Sequence, residues 1–367
     1  MKKRLFSLLL VSALVFTLSG CGEKSLLRES DPVTLNFWHV YGEQSGSPMD
    51  LLVQEFNRTV GQEKGVRVQV TNLSSASKIG GFLKEAQKGG RDAPEMPDLF
   101  TCHISDATAL GSDNLVDWNA WFTAEELSNF VPGFLADGMT EDGTLLLFPI
   151  SKSTQLLMCN GSGFARSLAQ GHVVVSDLYS NTQVMTGDVL SGLGSSAAIL
   201  YYNDTVTYRD GTQEPMDLHV LPMPKTAGAD ALMTQAGVGL CAYKTTNQKA
   251  EAAALFVRWL TESERNLDFV AQTGYMPVRN GAFDAIENYD KFPEPTESYR
   301  QLYAALKIMQ ESYTPLSEPR FEGYYGKVSQ LYDGLRKMQQ ELPARAAAGE
   351  SIDTLAEETW ALLCAIH

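Results

Sequence analysis

Apolar residues recur along this chain at two spacings, and the order of those spacings predicts its elements. Val33, Leu35 and Phe37 alternate with Thr34 and Asn36, the mark of a half-buried strand. Ser47-Pro48-Met49-Asp50 then supplies a capping serine, a proline at the first helical position and an acid at the third. Leu52, Phe56 and Val60 fall four apart and give that helix an apolar face. Val66, Val68 and Val70 alternate again. Strand, helix and strand in that order predict a βαβ unit and a parallel sheet. Ile79, Leu83 and Ala86 predict another helix, and residues 98–101 a third strand. Residues 145–148 and 155–158 are apolar runs separated by polar Ser151-Lys152-Ser153-Thr154, a segment expected to pass from one lobe to the next. Residues 218–221 and 238–243 are strand-like. Helices are expected over 250–260 after Thr246-Asn247, then at 299–309, 328–338 and 352–362. The fold class is therefore α/β, with mixed, mostly parallel sheets flanked by helices. No internal repeat or low-complexity tract interrupts it.

The first 21 residues follow another rule. Lys2, Lys3 and Arg4 precede an apolar run over residues 5–16, and then come Leu18-Ser19-Gly20-Cys21. A basic head, a short apolar middle, small residues and a cysteine predict a secretory signal (residues 1–20) that ends in a lipidation site. The apolar run is shorter than the ~20 residues a membrane span needs. Leu18-Ser19-Gly20-Cys21 resembles a bacterial lipobox. That resemblance implies cleavage before Cys21, acylation of its sulfur and amino group, and a mature chain outside the cytoplasm, held to the membrane by lipid. Residues 21–31 would be the lipidated cysteine and a polar, flexible tether. The remaining length exceeds what one core usually spans, so two lobes are expected.

Composition narrows the partners. The net charge is −15, and losing Lys2, Lys3 and Arg4 makes the mature chain more acidic still. Such a surface repels nucleic acid and anionic lipid. Cys102, Cys159, Cys241 and Cys364 are far apart and form no C-x-x-C, which leaves room for an isolated pair but argues against a disulfide framework. The histidines show no metal-binding spacing, and no G-x-S-x-G elbow occurs. No cofactor or metal is expected. Gly192-Leu193-Gly194-Ser195-Ser196-Ala197 fits a loose dinucleotide pattern, but its position mid-chain favours a glycine- and serine-rich turn at a cleft. Cys102-His103 places a thiol beside a base, yet neighbours on a strand face opposite ways, so a buried thiol beside a loop histidine is expected. Trp38, His39 and Tyr41 follow the first strand, where a parallel sheet binds ligands; aromatic rings there can stack on a sugar, although Trp38 could equally be core. Tyr275 and Arg279 share one rigid turn, where Arg279 could hold a phosphate or carboxylate or simply pair at the surface.

Together these pieces resemble the extracellular solute-binding proteins of family 1, the maltose-binding-like receptors of ABC importers. The residues that carry the resemblance are Leu35-Asn36-Phe37-Trp38-His39, Pro97-Asp98-Leu99-Phe100, Phe148-Pro149-Ile150-Ser151 and the 192–196 stretch. Gly237-Val238-Gly239, the helix over 250–260 and Thr273-Gly274-Tyr275-Met276-Pro277-Val278-Arg279 complete the order. The nearest flavour is the branch that binds glycerol-phosphate compounds and oligosaccharides. The resemblance implies a two-lobed, periplasmic-binding-protein-like type II fold with a hinge. Lobe one would comprise 31–147 plus 236–313, and lobe two 148–235 plus 314–367. It implies a cleft lined by Trp38, His39, Tyr41, Thr101, Ser151, Ser153, Ser195, Ser196, Tyr275 and Arg279, with Tyr324 and Tyr325 as aromatic stackers. It further implies a monomer that performs no chemistry, captures a sugar, oligosaccharide or sugar or glycerol phosphate, and delivers it to ABC permease transmembrane subunits. One departure stands out: only residues 161–186 separate Asn160 from Gly187, where the family has a long helical stretch, so lobe two looks shortened. That departure motivates an alternative, a non-transporting sensor or adaptor descended from such a receptor. The abundant carboxylates at a cell surface motivate a more distant one, a glycan hydrolase.

Overall fold

The computed structural model describes residues 25–42, 46–73, 76–160, 179–225, 228, 230–321 and 323–350. The expected signal, Cys21 and the helix expected over 352–362 lie outside them, as does most of the stretch over 161–186.

Strand β1 (Val33–His39) buries its odd positions. Ser47 then caps α1 (Pro48–Arg58), its hydroxyl accepting from the Asp50 N–H at 3.3 Å. The buried face of α1 is Met49, Val53 and Phe56; the expected Val60 instead falls in the next helix, α2 (Val60–Lys64), because the chain breaks at Thr59. Gly65 ends α2 with φ 68, a conformation that costs glycine nothing, and turns the chain into β2 (Val66–Asn72). Next come α3 (Ala76–Lys88), β3 (Leu99–Cys102) and α4 (Ile104–Leu110). The short helices α5 (Ala124–Ser128) and α6 (Pro132–Asp137) follow.

Strand β4 (Gln155–Asn160) opens a second sheet. The chain continues through α7 (Ser180–Met185), β5 (Ser191–Ser195), a 3-10 turn over Ser196–Tyr201, β6 (Thr205–Thr207), β7 (Gln213–Pro215), β8 (Leu218–Leu221) and β9 (Leu232–Gln235). It returns as β10 (Gly239–Ala242), followed by α8 (Asn247–Leu260), α9 (Ser263–Ala271), α10 (Asn280–Ala285), α11 (Thr296–Ser312), β11 (Thr314–Ser317) and α12 (Tyr324–Ala347).

The first sheet has the order β10-β3-β1-β2; β1 is parallel to both β2 and β3, and β10 closes the edge antiparallel. The βαβ expectation therefore holds. The second sheet, β5-β4-β8, is antiparallel throughout. Residues 192–195 are its edge strand rather than a turn. The glycines there serve packing: a Cβ on Gly192 would come within 2.7 Å of the Ser180 Cβ on α7. Strands β9 and β11 form a separate parallel pair, and β6 and β7 a hairpin.

The main core joins β1, α1, α8, α9 and α11, with Phe37, Phe56, Phe256 and Trp259 in edge or stacked contact. A second, smaller core lies on the other face of the first sheet, under α3 and α4: Ile79, Leu83, Phe100, Cys102 and Cys241. Trp118 ties β10 to the 145–148 stretch beside it, its indole N–H shared between the carbonyls of Leu146 and Leu240, each at 3.2 Å.

Phe56→Ala should cost about 3–5 kcal/mol, because its cavity opens where α1 meets α8. Leu51→Ala, on the exposed face of the same helix, should stay within about 0.5 kcal/mol. Urea unfolding of the two variants checks both values.

Candidate functional site

In a sheet built of parallel strands, the carboxyl ends open on one edge and ligands bind outside them. Strand β3 ends at Cys102, and the next residue, His103, starts α4. Three residues on, Asp106 lies against α3 so closely that a Cβ on Gly80 would stand 2.5 Å from its Oδ1. Burial pushes the Asp106 carboxyl up, against the lowering pull of His103 and Lys84.

The segment after β11 faces this edge. Arg320 donates to the carbonyls of Ala136 at 3.2 Å and Asp137 at 3.0 Å, and also to that of Met139. A cation at the carbonyl end of α6 is well placed, since the last carbonyls of a helix carry partial negative charge. With Arg320 anchored, Glu318, Phe321 and Tyr324 are carried to the end of β3. A cavity of about 700 Å³ remains between them, lined among others by Lys84, His103, Asp106, Glu318, Phe321 and Tyr324. His103 Nδ1 stands 3.9 Å from Glu318 Oε2. Burial lowers the His103 imidazole, and Lys152 adds to that, while Glu318, Asp106 and Asp137 pull it up. Phe321 meets Tyr324 edge-on, with ring centroids 5.5 Å apart.

Beside this cavity runs a buried polar seam. Residues 151–154 pass between Ala236 and Met276, held by main-chain bonds from Ser153 and Lys152. Lys152, almost wholly buried, pairs with Asp137. The hydroxyls of Thr101, Thr154 and Ser196 and the Gln235 Oε1 have no hydrogen-bond partner among the described residues.

The residues singled out from the sequence scatter across this arrangement. Trp38 packs edge-on against Phe82 on the outer face of the first sheet, so its role there is packing. His39 is fully buried. The Tyr41 N–H donates to its Nδ1 at 3.1 Å, so its proton sits on Nε2, 2.9 Å from Asp50. Tyr41 is buried too, its hydroxyl bonded to Ser151 at 3.0 Å and its ring edge-on to Phe269 and Tyr275. Thr101, Ser151, Ser153 and Ser196 belong to the buried interior, and Ser195 caps the 3-10 turn. Tyr275 is half-buried, and its carbonyl accepts from Tyr303. Arg279 lies over the Phe130 ring at 4.6 Å, near Glu262 and Glu126 and away from the cavity. Tyr324 lines the cavity; Tyr325 is its neighbour in α12.

His103, Asp106, Glu318, Arg320 and Phe321 were not singled out for binding. His103 had the same signal as His39, a polar residue directly after a parallel strand. Cys102 beside it faces the other way, which argues against joint chemistry and says nothing about binding. Among the described residues no His, Cys, Asp and Glu group could hold a metal ion, and no helix is long and apolar enough to cross a membrane.

Comparison with known proteins places the fold. Residues 164–294 match the family model described as bacterial extracellular solute-binding protein. No curated protein matches the chain. Among solved structures, the cyclic alpha-maltosyl-1,6-maltose binding protein of Arthrobacter globiformis aligns at TM-score 0.63 and 14% identity, over 91% of this chain and 99% of the other. UgpB from Mycobacterium tuberculosis, in complex with glycerophosphocholine, aligns at TM-score 0.61 and 15% identity over the same shares. An extracellular solute-binding protein family 1 member from Alicyclobacillus acidocaldarius aligns at 0.62 and 13%, over 90% and 97%. The chain has their two-lobed α/β fold.

Two histidines held below their ordinary value fix the direction of a pH dependence. Both His39 and His103 are lowered from the ordinary 6.5. The unfolded chain therefore binds protons that the folded one does not as pH falls through 6.5, and stability drops there. Unfolding free energy measured at pH 7.5 and 5.5 should fall toward pH 5.5, and His39→Gln should flatten part of that slope.

Proposed function

We propose that this chain is the extracytoplasmic receptor of a solute importer, capturing a carbohydrate in the cavity at the end of β3 and presenting it to ABC permease subunits. The observation that carries this reading is the cavity's place: it lies between the carboxyl end of a parallel strand and the segment from Glu318 to Tyr324, in a two-lobed fold. The proposed lobes are 31–147 plus 236–313 and 148–235 plus 314–367. Helix α11 stands between them, its Gln301 accepting from the Val220 N–H and its Tyr303 donating to Val270 and Tyr275 carbonyls. Hinge closure of such lobes converts binding energy into a shape that a permease can recognise.

The lining indicates the ligand class. Phe321 and Tyr324 offer ring faces for the C–H surface of a sugar. Asp106 and Glu318 offer acceptors for its hydroxyls, and Lys84 and His103 complete a set of hydrogen-bonding groups. Arg320 is committed to main-chain carbonyls, so two carboxylates outweigh the cations that remain. This balance favours a neutral polyhydroxylated ligand over a phosphate ester. The structurally similar cyclic maltosyl-maltose binding protein and the glycerophosphocholine complex bracket the same choice. The lipid on Cys21 would hold the receptor, as a monomer, to the outer face of the cell membrane.

Thermal unfolding of the purified chain against mono-, oligo- and phosphorylated sugars tests the proposal. A ligand at 100 times its Kd adds about 2.7 kcal/mol, a shift of a few degrees at this size. Neutral sugars should move the transition, and a transition unmoved by the whole panel overturns the reading. Tyr324→Ala should weaken the responding sugar roughly tenfold, about 1.4 kcal/mol, as measured by calorimetric titration, while the unliganded transition stays in place.

A further inference from the structure

The second core contains two cysteines from adjacent strands. Cys102 ends β3 and Cys241 lies in β10, and their Sγ atoms are 3.7 Å apart, in contact but unbonded. The antiparallel register sets Gly239 opposite Cys102 and Phe100 opposite Cys241. The two thiols are therefore diagonal neighbours on one face of the sheet. Gly239 has no side chain to stand between them, and the tight approach of Leu147, 2.5 Å from where its Cβ would be, excludes any larger residue there. Both cysteines are wholly buried under Ile79, Leu83 and Leu147.

We propose that Cys102 and Cys241 are a disulfide site, oxidised in the exported chain. The two thiols each lose a proton and together give up two electrons as the S–S bond forms. The electrons reduce the disulfide of an exported thiol–disulfide oxidoreductase, or of oxidised glutathione, to two thiols. The geometry supports this: the sulfurs already stand in contact on one face of two hydrogen-bonded strands, and the bond brings them to about 2.05 Å. The placement supplies the redox conditions, and for its oxidant the proposal rests on the extracytoplasmic reading above. Both sulfurs are wholly buried, so the folded chain shields the pair from exchange once it is formed. The bond would join two strands that stand 139 residues apart, enclosing the whole excursion through β4 to β9 in one covalent loop.

The full chain, isolated from cells with its free thiols trapped by alkylation and digested with trypsin without reductant, should yield one linked pair. Its members are peptides 92–152 and 226–244, joined at a mass two hydrogens below their sum. Reduction should lower the unfolding temperature by several degrees. A chain with Cys102→Ser and Cys241→Ser should lose that sensitivity to reductant and keep a cooperative transition. The reduced wild-type chain, refolded in a glutathione redox buffer, separates the geometry from the location. If both thiols still alkylate after denaturation of the refolded chain, or if either pairs with Cys159 or Cys364, the proposal is overturned. If the link forms in the buffer but is missing from chain isolated from cells, the site stands as chemistry and the extracytoplasmic placement falls.

Discussion

The structure depends on one crossing, where residues 148–154 run between β10 and Met276. Phe148 exchanges main-chain bonds with Leu240 at 2.9 and 2.8 Å, Ser153 exchanges them with Ala236 at 3.0 Å, and Lys152 bonds to Met276. Each end of the excursion through the second sheet is thereby fastened to the first. The crossing is buried, and it holds the Lys152 ammonium. Removing such a charge from water costs several kcal/mol, which Asp137 at the end of α6 offsets by pairing with it. Loss of either partner would leave a buried charge, so α6 and the crossing strand are obliged to stay together.

The cavity follows from that constraint. Asp137 fixes the end of α6, and the carbonyls just there receive Arg320. Arg320 in turn holds the segment that carries Glu318, Phe321 and Tyr324. The same crossing places β3 with its carboxyl end toward that segment, so His103 and Asp106 meet it across the cavity. A chain of local polar contacts thus connects the crossing to the walls of the cavity. Helix α11 adds a second tie, since its two buried faces reach both the 270–275 turn and β8.

His39 and His103 show how little a local pattern decides. Each is the histidine at the carboxyl end of a parallel strand. His39 is covered by α1, satisfied by the Tyr41 N–H and Asp50, and serves the loop that follows β1. His103 has α4 beneath it and the cavity beside it. The difference lies in what packs over each strand end, and that is contributed by residues hundreds of positions apart in one case and eleven in the other.

The sequence by itself determined what depends on neighbours along the chain. Alternation at Val33, Leu35 and Phe37, the Ser47 cap and the spacing of Val66, Val68 and Val70 specify a βαβ unit, because burial on one face and capping are local demands. The length of the chain, together with the family resemblance of its motifs, then pointed to a two-lobed α/β form. Only the tertiary structure decided the rest. Residues 192–195 became an edge strand because β4 offered hydrogen bonds and α7 demanded glycine. Arg279 turned to Phe130 and away from the cavity. Tyr41, Ser151 and Thr101 went to the interior, and Glu318, Phe321 and His103 came together from opposite ends of the chain. Spacing cannot show such meetings, because which side chains face one another across a cavity depends on how packed layers cross, and the free energy that fixes a crossing is shared among residues with no proximity in sequence.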